Sequence, residues 1–282
     1  MYLGSLECWA GRQQIEIRGT LQRNLLAALL AAESNFISVD VLITELWEKK
    51  PPSHSENALQ AHVSRLRKKF REAGGGHQAR LLTLPSGYQL RAADDDVDAI
   101  VFIRALNEVR SHSVAEPARV IARLRMALSL WRGPVFGGPL GGPMCRGVAA
   151  RLEAARSFAT ETLFDLELQC GHHNEAIPEL SKLVEEQSLN ERLCELLMVA
   201  LYRSGRQTEA LQVYQRMRRR LDADLGVEPS PTLRKYEEAV LSHDPVLNAG
   251  ADHAVLRPRA SGRLSLAVTR KIHECGIVTA AS

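Results

Sequence analysis

No stretch of this chain is apolar for long enough to cross a membrane. The best candidate, Leu25 to Ala32, is eight residues long and is closed by Glu33, against the 20 or so that a spanning helix needs. The opening MYLGSLECWAG lacks the basic and apolar regions of a signal peptide, so a soluble cytoplasmic protein is expected. Cysteine is sparse: the five are far apart, with no C-x-x-C pair, and the nine histidines are scattered apart from the adjacent His172 and His173. That excludes a disulfide framework and leaves no metal-ligand spacing, so no metal and no cofactor are expected.

Catalytic signatures are missing too. G-x-S-x-G, H-E-x-x-H and H-R-D do not occur. The glycine-rich GPVFGGPLGGP (133–143) lacks the order of a phosphate-binding loop and reads as a flexible connection between helices. Glu185-Glu186 and Glu237-Glu238 are neighbours on helices, so they point apart as solvated charges rather than forming an acid/base pair. An enzyme is not expected.

What the chain does have is helix-forming composition and uneven charge. Its 282 residues are 45% hydrophobic and 24% charged, with aromatics at only 5%; the length fits roughly two domains. The net charge of +3 conceals a basic N-terminal part: residues 1–92 hold 12 Lys/Arg against 8 Asp/Glu, and residues 93–245 hold 19 against 23. Such a division points to a polyanion-binding unit joined to a protein-contact unit.

Residues 2–18 read as a β-hairpin turning at Ala10-Gly11, and a first helix should follow over Leu21 to Ala32. Ser38 should cap a second helix whose buried face is Val41, Leu42, Leu46 and Trp47. Pro51-Pro52 ends it. A third helix should run from Ser53–Ser55 to about Glu72, with Leu59, Val63, Leu66 and Phe70 as its apolar stripe. RLLTLPSGYQLR (80–91) then reads as a second hairpin, with Tyr88 packed on the third helix. This order is that of a winged helix-turn-helix, and the acidic stretch at 92–96 should be its linker. Helices are expected at 97–112, 116–132, 147–171, 174–187, 190–204, 207–223 and 230–243.

Gly171 and Gly205, Glu175 and Glu209, and Ala176 and Ala210 stand 34 positions apart. That is the period of the tetratricopeptide repeat, a helix pair with small residues at the contact. The fold class is thus mainly α with a small β component: a winged helix-turn-helix followed by an all-α tetratricopeptide-like array.

The third helix carries the functional signal. Asn57, Gln60, Ala61, Ser64, Arg65, Lys68 and Arg71 lie opposite the apolar stripe, with His62, Arg67 and Lys69 on the flanks. This outer face holds no acid among its members, whereas a merely solvated face usually mixes signs. Amides can read adenine and guanidinium can read guanine in a major groove, while basic flanks fix register on phosphates. Thr83 and Ser86 of the second hairpin can donate to phosphates.

The stretch SVDVLITELW…PPSHSENALQAHVSRLRKKF…LLTLPSGYQL resembles the winged helix-turn-helix of the OmpR/PhoB class. Its PP-x-S-x-x-N-A-L-Q-x-x-V-S-R-L-R form resembles the Streptomyces antibiotic regulatory protein family. AL-x-LWRG at 127–133 and LMVALYRSGRQTEALQVYQRMRRRLDADLGVEPSPTLRKYEEAVL look like that family's bacterial transcriptional activator domain. The resemblance covers about residues 2–245. It implies a winged domain over 1–92 and an activator domain over 97–245, in the short form of the family without a receiver domain; residues 246–282 lie outside the resemblance, and their basic RPRASGR reads as a disordered tail. It also implies a nucleoid-associated, cluster-situated activator of secondary-metabolite genes.

Such an activator binds tandem direct repeats near the −35 element as a homodimer and recruits RNA polymerase holoenzyme. By position, Asn57, Gln60, Ala61, Ser64 and Arg65 would face bases; Arg67, Lys68 and Thr83 would face phosphates, with His62 and Ser86 beside them. Lys49, Lys50, Ser53 and His54 would lie on the polymerase-contacting loop. Leu84-Pro85-Ser86 stands where the class often has a minor-groove arginine. The alternative is a tetratricopeptide scaffold that binds protein and not DNA.

Overall fold

The computed structural model describes residues 1–73, 79–111 and 116–248. Nearly all of the proposed tail, residues 249–282, lies outside them, as do Gly74 to Gly76, where the third helix was expected to end. The chain divides into two compact units, Met1–Pro178 and Glu179 onward.

The first unit opens with a short ribbon, β1 (Cys8–Ala10) against β2 (Gln13–Ile15), narrower than the hairpin expected over 2–18. Helices α1 (Thr20–Ala31), α2 (Val39–Trp47) and α3 (Ser55–Glu72) follow. Ser38 caps α2, accepting from the Val41 N–H at 3.3 Å. Strands β3 (Ile37–Ser38), β4 (Ala79–Leu84) and β5 (Gly87–Ala92) form an antiparallel sheet in the order β3-β5-β4. The β4–β5 turn is Pro85-Ser86, and Gly87 pairs with both Leu84 and Ser38. A Cβ at Gly87 would sit 2.1 Å from the Ile37 carbonyl oxygen, so only glycine lets β3 join.

The α3 stripe is as the spacing predicts: Leu59, Val63, Leu66 and Phe70 are all buried beside Leu25, Leu29, Leu42 and Leu46. On α2 the expectation is corrected at Val41, which is 40% exposed, while Glu45 is 2% exposed. The α2 face is set by where that carboxylate goes.

Next come α4 (Asp98–Ser111), α5 (Pro117–Leu128), α6 (Pro143–Gln169) and α7 (His173–Glu186), the last running into the second unit. Two buried carboxylates join these helices to the N-terminal elements. Glu45 accepts hydrogen bonds from the backbone N–H groups of Gly142, Met144 and Cys145 at 2.9, 2.6 and 3.2 Å. It therefore serves as the N-terminal cap of α6, satisfying donors that a helix start leaves open and placing negative charge at the positive end of the dipole. This explains why α6 begins at Pro143, earlier than the apolar periodicity predicts.

Asp98 receives the N–H groups of Tyr2 and Leu3 and the guanidinium of Arg132. The segment 133–143 is accordingly a packed connection rather than a flexible one. Val135 and Phe136 are buried, Phe136 stacks on Tyr2 at 4.8 Å between ring centroids, and the Phe136 N–H donates to the Tyr2 carbonyl. A Cβ on Gly142 would lie 2.8 Å from the Glu45 Cα, so the glycines permit the clasp.

In the second unit α8 (Glu191–Arg203) is buried along most of its length and is packed by α9 (Gln207–Leu225) and α10 (Pro231–Leu241). Asn190 and Ser230 cap α8 and α10. The repeat is expressed as fully buried Ala176 and Ala210, with Gly171 and Gly205 at positive φ behind the preceding helices. Among the described residues no helix is long and apolar enough to cross a membrane, and no group of His, Cys, Asp and Glu could hold a metal ion.

Candidate nucleic-acid interface

Four apolar residues anchor α3, and their spacing dictates what faces outward. Asn57, Gln60, Ala61, Ser64, Arg65 and Lys68 are all exposed, so the structure brings six of the expected residues onto one surface. The Lys68 ammonium lies 3.7 Å from the Glu72 carboxylate, one turn on. An acid thus sits at the C-terminal edge of this surface, beyond the residues expected to read DNA.

The flanking residues are engaged elsewhere in the fold. His62 is half-buried and turned to α1: Gln22 donates from Nε2 to the ring at 2.8 Å and to the His62 carbonyl at 3.1 Å. The Trp47 ring stands edge-on at 6.3 Å. Burial holds the imidazole pKa below its usual value, and the Arg65 charge adds to this. Lys69 donates to the Glu16 carbonyl at 2.5 Å, tying α3 to the segment just after β2.

Arg67 has the most distinctive surroundings. Its Nε donates to the Leu81 carbonyl at 3.0 Å, its terminal nitrogen donates to the Thr83 hydroxyl at 2.7 Å, and its guanidinium lies 6.0 Å from the Tyr88 ring centroid. The planar fork of donors suits this bracing role, which an ammonium would not fill. Arg67 therefore fixes the hairpin β4–β5 against α3. The sequence leads to the expectation of a phosphate contact for Arg67 and does not show this brace, whose one local signal is the position between the buried stripe and the outer face. Thr83, although its oxygen accepts from Arg67, keeps its own hydroxyl proton to donate. Ser86 is exposed at the wing turn. Tyr88 is 6% exposed, in the packed position expected of it.

The loop between α2 and α3 carries Lys49, Lys50, Ser53 and His54, all exposed. Glu48 at its start pairs with Arg146 at 2.5 Å, so this loop is joined to α6 beside the Glu45 cap. One local oddity each is all that marks Glu45 and Asp98 in the sequence as organising residues. Glu45 sits inside an otherwise apolar helix face, and Asp98 breaks into the apolar opening of α4.

Known proteins support this architecture. Residues 13–90 match the family model described as transcriptional regulatory protein, C terminal, and residues 97–241 match the bacterial transcriptional activator domain. The transcriptional regulator RedD of Streptomyces coelicolor is 40% identical, the match covering 82% of this chain and 67% of that protein. The regulatory protein AfsR of the same organism is 38% identical over 91% of this chain but only 26% of its own length. Among solved structures, Mycobacterium tuberculosis EmbR in complex with a low affinity phosphopeptide superposes with a TM-score of 0.78. It is 30% identical, with 90% of this chain and 68% of that one covered. The chain spans two thirds of RedD and about a quarter of AfsR. With a winged helix-turn-helix head followed by that activator domain, the chain belongs to the Streptomyces antibiotic regulatory protein family of transcriptional regulators.

Proposed function

We propose that this protein is a sequence-specific DNA-binding activator that sits on tandem direct repeats near a −35 element, two protomers side by side, and recruits RNA polymerase holoenzyme. Residues 1–92 form the DNA-reading part and residues 97–245 the activating part, working in the cytoplasm on the nucleoid. Its target is the promoter of a secondary-metabolite cluster. The observation that carries the reading is the outer face of α3, where amide, hydroxyl and guanidinium groups stand exposed from Asn57 to Lys68. Asn57, Gln60, Ala61, Ser64 and Arg65 face bases. Arg67, Lys68 and Thr83 meet phosphates with Ser86 beside them, Arg67 also bracing the wing, and His62 backs the helix. Lys49, Lys50, Ser53 and His54 form the polymerase-facing loop.

The test is a footprint of the purified protein across the neighbourhood of its own gene at two salt concentrations. Two in-phase protected repeats, lost at high salt, are expected, because each neutralised phosphate steepens the salt dependence by about 0.9 logarithmic unit per decade. Arg65→Ala should cost about 1–3 kcal/mol of operator affinity while leaving the fold intact. A folded Arg65→Ala protein that binds as tightly as the wild type would remove α3 from the interface. Absence of protection at either salt, with or without polymerase, would favour the protein-scaffold reading.

A further inference from the structure

Among the described residues the ribbon β1–β2 pairs only with itself and is not part of the three-stranded sheet. Two short strands alone are marginal in water, so the ribbon depends on what lies beneath it. What lies there is a cavity of about 480 Å³. That volume falls within the range of small-molecule sites, about 300–1,000 Å³, and the cavity is half open to solvent. Its floor is apolar: Leu26, Phe70, Leu90 and Val97, each less than 9% exposed, with Cys8 and Ile15 of the ribbon as walls. Trp9 stands at its edge, 45% exposed.

The charged side chains at this cavity are acidic. Glu7 and Asp96 line it, and no lysine or arginine side chain does. The one cationic group there, the amino group of Met1, already donates to the Glu7 carbonyl at 2.9 Å. Glu7 is held by the Trp9 indole N–H and by Arg132. Asp94 and Asp95 are both taken by Arg104, whereas the Asp96 carboxylate has no hydrogen bond or ion pair among the described residues. An apolar chamber with a spare carboxylate at its rim suits a ring-sized apolar body bearing an amine, and disfavours an anion.

We propose that this cavity is an effector site for a small apolar molecule carrying a positive charge. Its position gives the occupant a route to the DNA-reading surface. Phe70 is in the last turn of α3, Leu90 and Ala92 belong to the wing strand β5, and Lys69 fastens α3 to the segment after β2. A bound molecule would thus touch the back of the recognition helix and the wing strand together.

The experiment uses the full chain without DNA, so its failure leaves the DNA-reading proposal untouched. Two naphthalene fluorophores of similar size and opposite charge serve as probes: dansylcadaverine, which carries an amine, and 8-anilinonaphthalene-1-sulfonate. Dansylcadaverine should bind saturably at one site per chain, and the sulfonate should bind at least about tenfold more weakly. Ala92→Phe, which fills the chamber, should lower dansylcadaverine affinity about tenfold. Asp96→Asn alters an exposed, unbonded carboxylate that folding does not need, and should weaken the amine probe about threefold without weakening the sulfonate. Equal binding of the two probes, no saturation, or amine binding that ignores Asp96→Asn would overturn the proposal, the last because it marks non-specific adhesion of dye. If Ala92→Phe does not fold, the Asp96→Asn comparison decides alone.

Discussion

Replacing Glu45 by alanine tests the idea that one buried carboxylate holds the N-terminal elements and α6 together. In the native chain it satisfies the N–H groups of Gly142, Met144 and Cys145. Each buried donor left open costs about 1–3 kcal/mol, and losing negative charge at a helix start costs roughly 0.5–1 kcal/mol more. Against this stand water entering the space and the relief of no longer desolvating a carboxylate. A net loss of about 3 kcal/mol is expected for Glu45→Ala. Glu45→Gln keeps one acceptor oxygen but turns an amide nitrogen towards donors, so it should lose about 1–2 kcal/mol.

At about 2–4 °C per kcal/mol for a unit of this size, Glu45→Ala should melt about 6–12 °C below the wild type. Calorimetry measures the midpoint, and amide exchange locates the effect. Exchange should quicken at Gly142, Met144 and Cys145 and be unchanged at the same depth in α8. A melting point within about 1 °C of the wild type, or unchanged exchange at these three amides, would refute the reasoning.

Three further outcomes follow from local chemistry. Arg67→Ala severs the bonds to Leu81 and Thr83 and should cost about 1–2 kcal/mol, with amide exchange raised across β4–β5; Arg67→Lys should recover only part of this, since one ammonium cannot reproduce the fork. His62 is held neutral in the fold, its pKa lowered by burial and then by Arg65, so the unfolded chain takes up the proton first as pH falls. The stability of the neutral form is complete above the unfolded value of 6.5 and declines below it; urea melts at pH 7.5 and 5.5 should show a smaller drop for His62→Asn than for the wild type. Among the four cysteines of the described residues, iodoacetamide should label exposed Cys170 first, Cys8 slowly, and Cys145 and Cys194 only after unfolding, because burial raises the pKa of the last three thiols; mass spectrometry reads the order.

How much of this was legible in the sequence depended on the range of the interaction involved. The α3 stripe and its outward face follow from a 3.6-residue period, and the Ser38 cap from its own three-residue reach, so both could be read locally. The 34-residue recurrence of Gly171 with Gly205 and Ala176 with Ala210 was equally open to inspection. Val41 is exposed despite its hydrophobicity because the orientation of α2 follows the burial of Glu45 on donors nearly 100 positions away. The segment 133–143 departs from expectation for the same reason: glycine signals flexibility when alone and close approach when something large must pass. Arg67 lies between these cases, since its helix position was legible but its partners on the wing were not.

Asp98 and Glu45 also constrain the order in which the chain can be completed during synthesis. Residues at the start of the protein wait for partners 96 to 100 positions downstream: Tyr2 for Asp98, and Glu45 for Gly142 and Cys145. At about 5–20 residues per second, the ribosome delivers Asp98 within about a second of the winged part, but Gly142 and Cys145 only several seconds after it. Until then that part carries an uncapped carboxylate and open backbone donors. A chain cut near residue 92 would leave the Glu45 carboxylate and the Tyr2 and Leu3 N–H groups without these partners, so the winged part alone is expected to be less stable than it is within the whole chain.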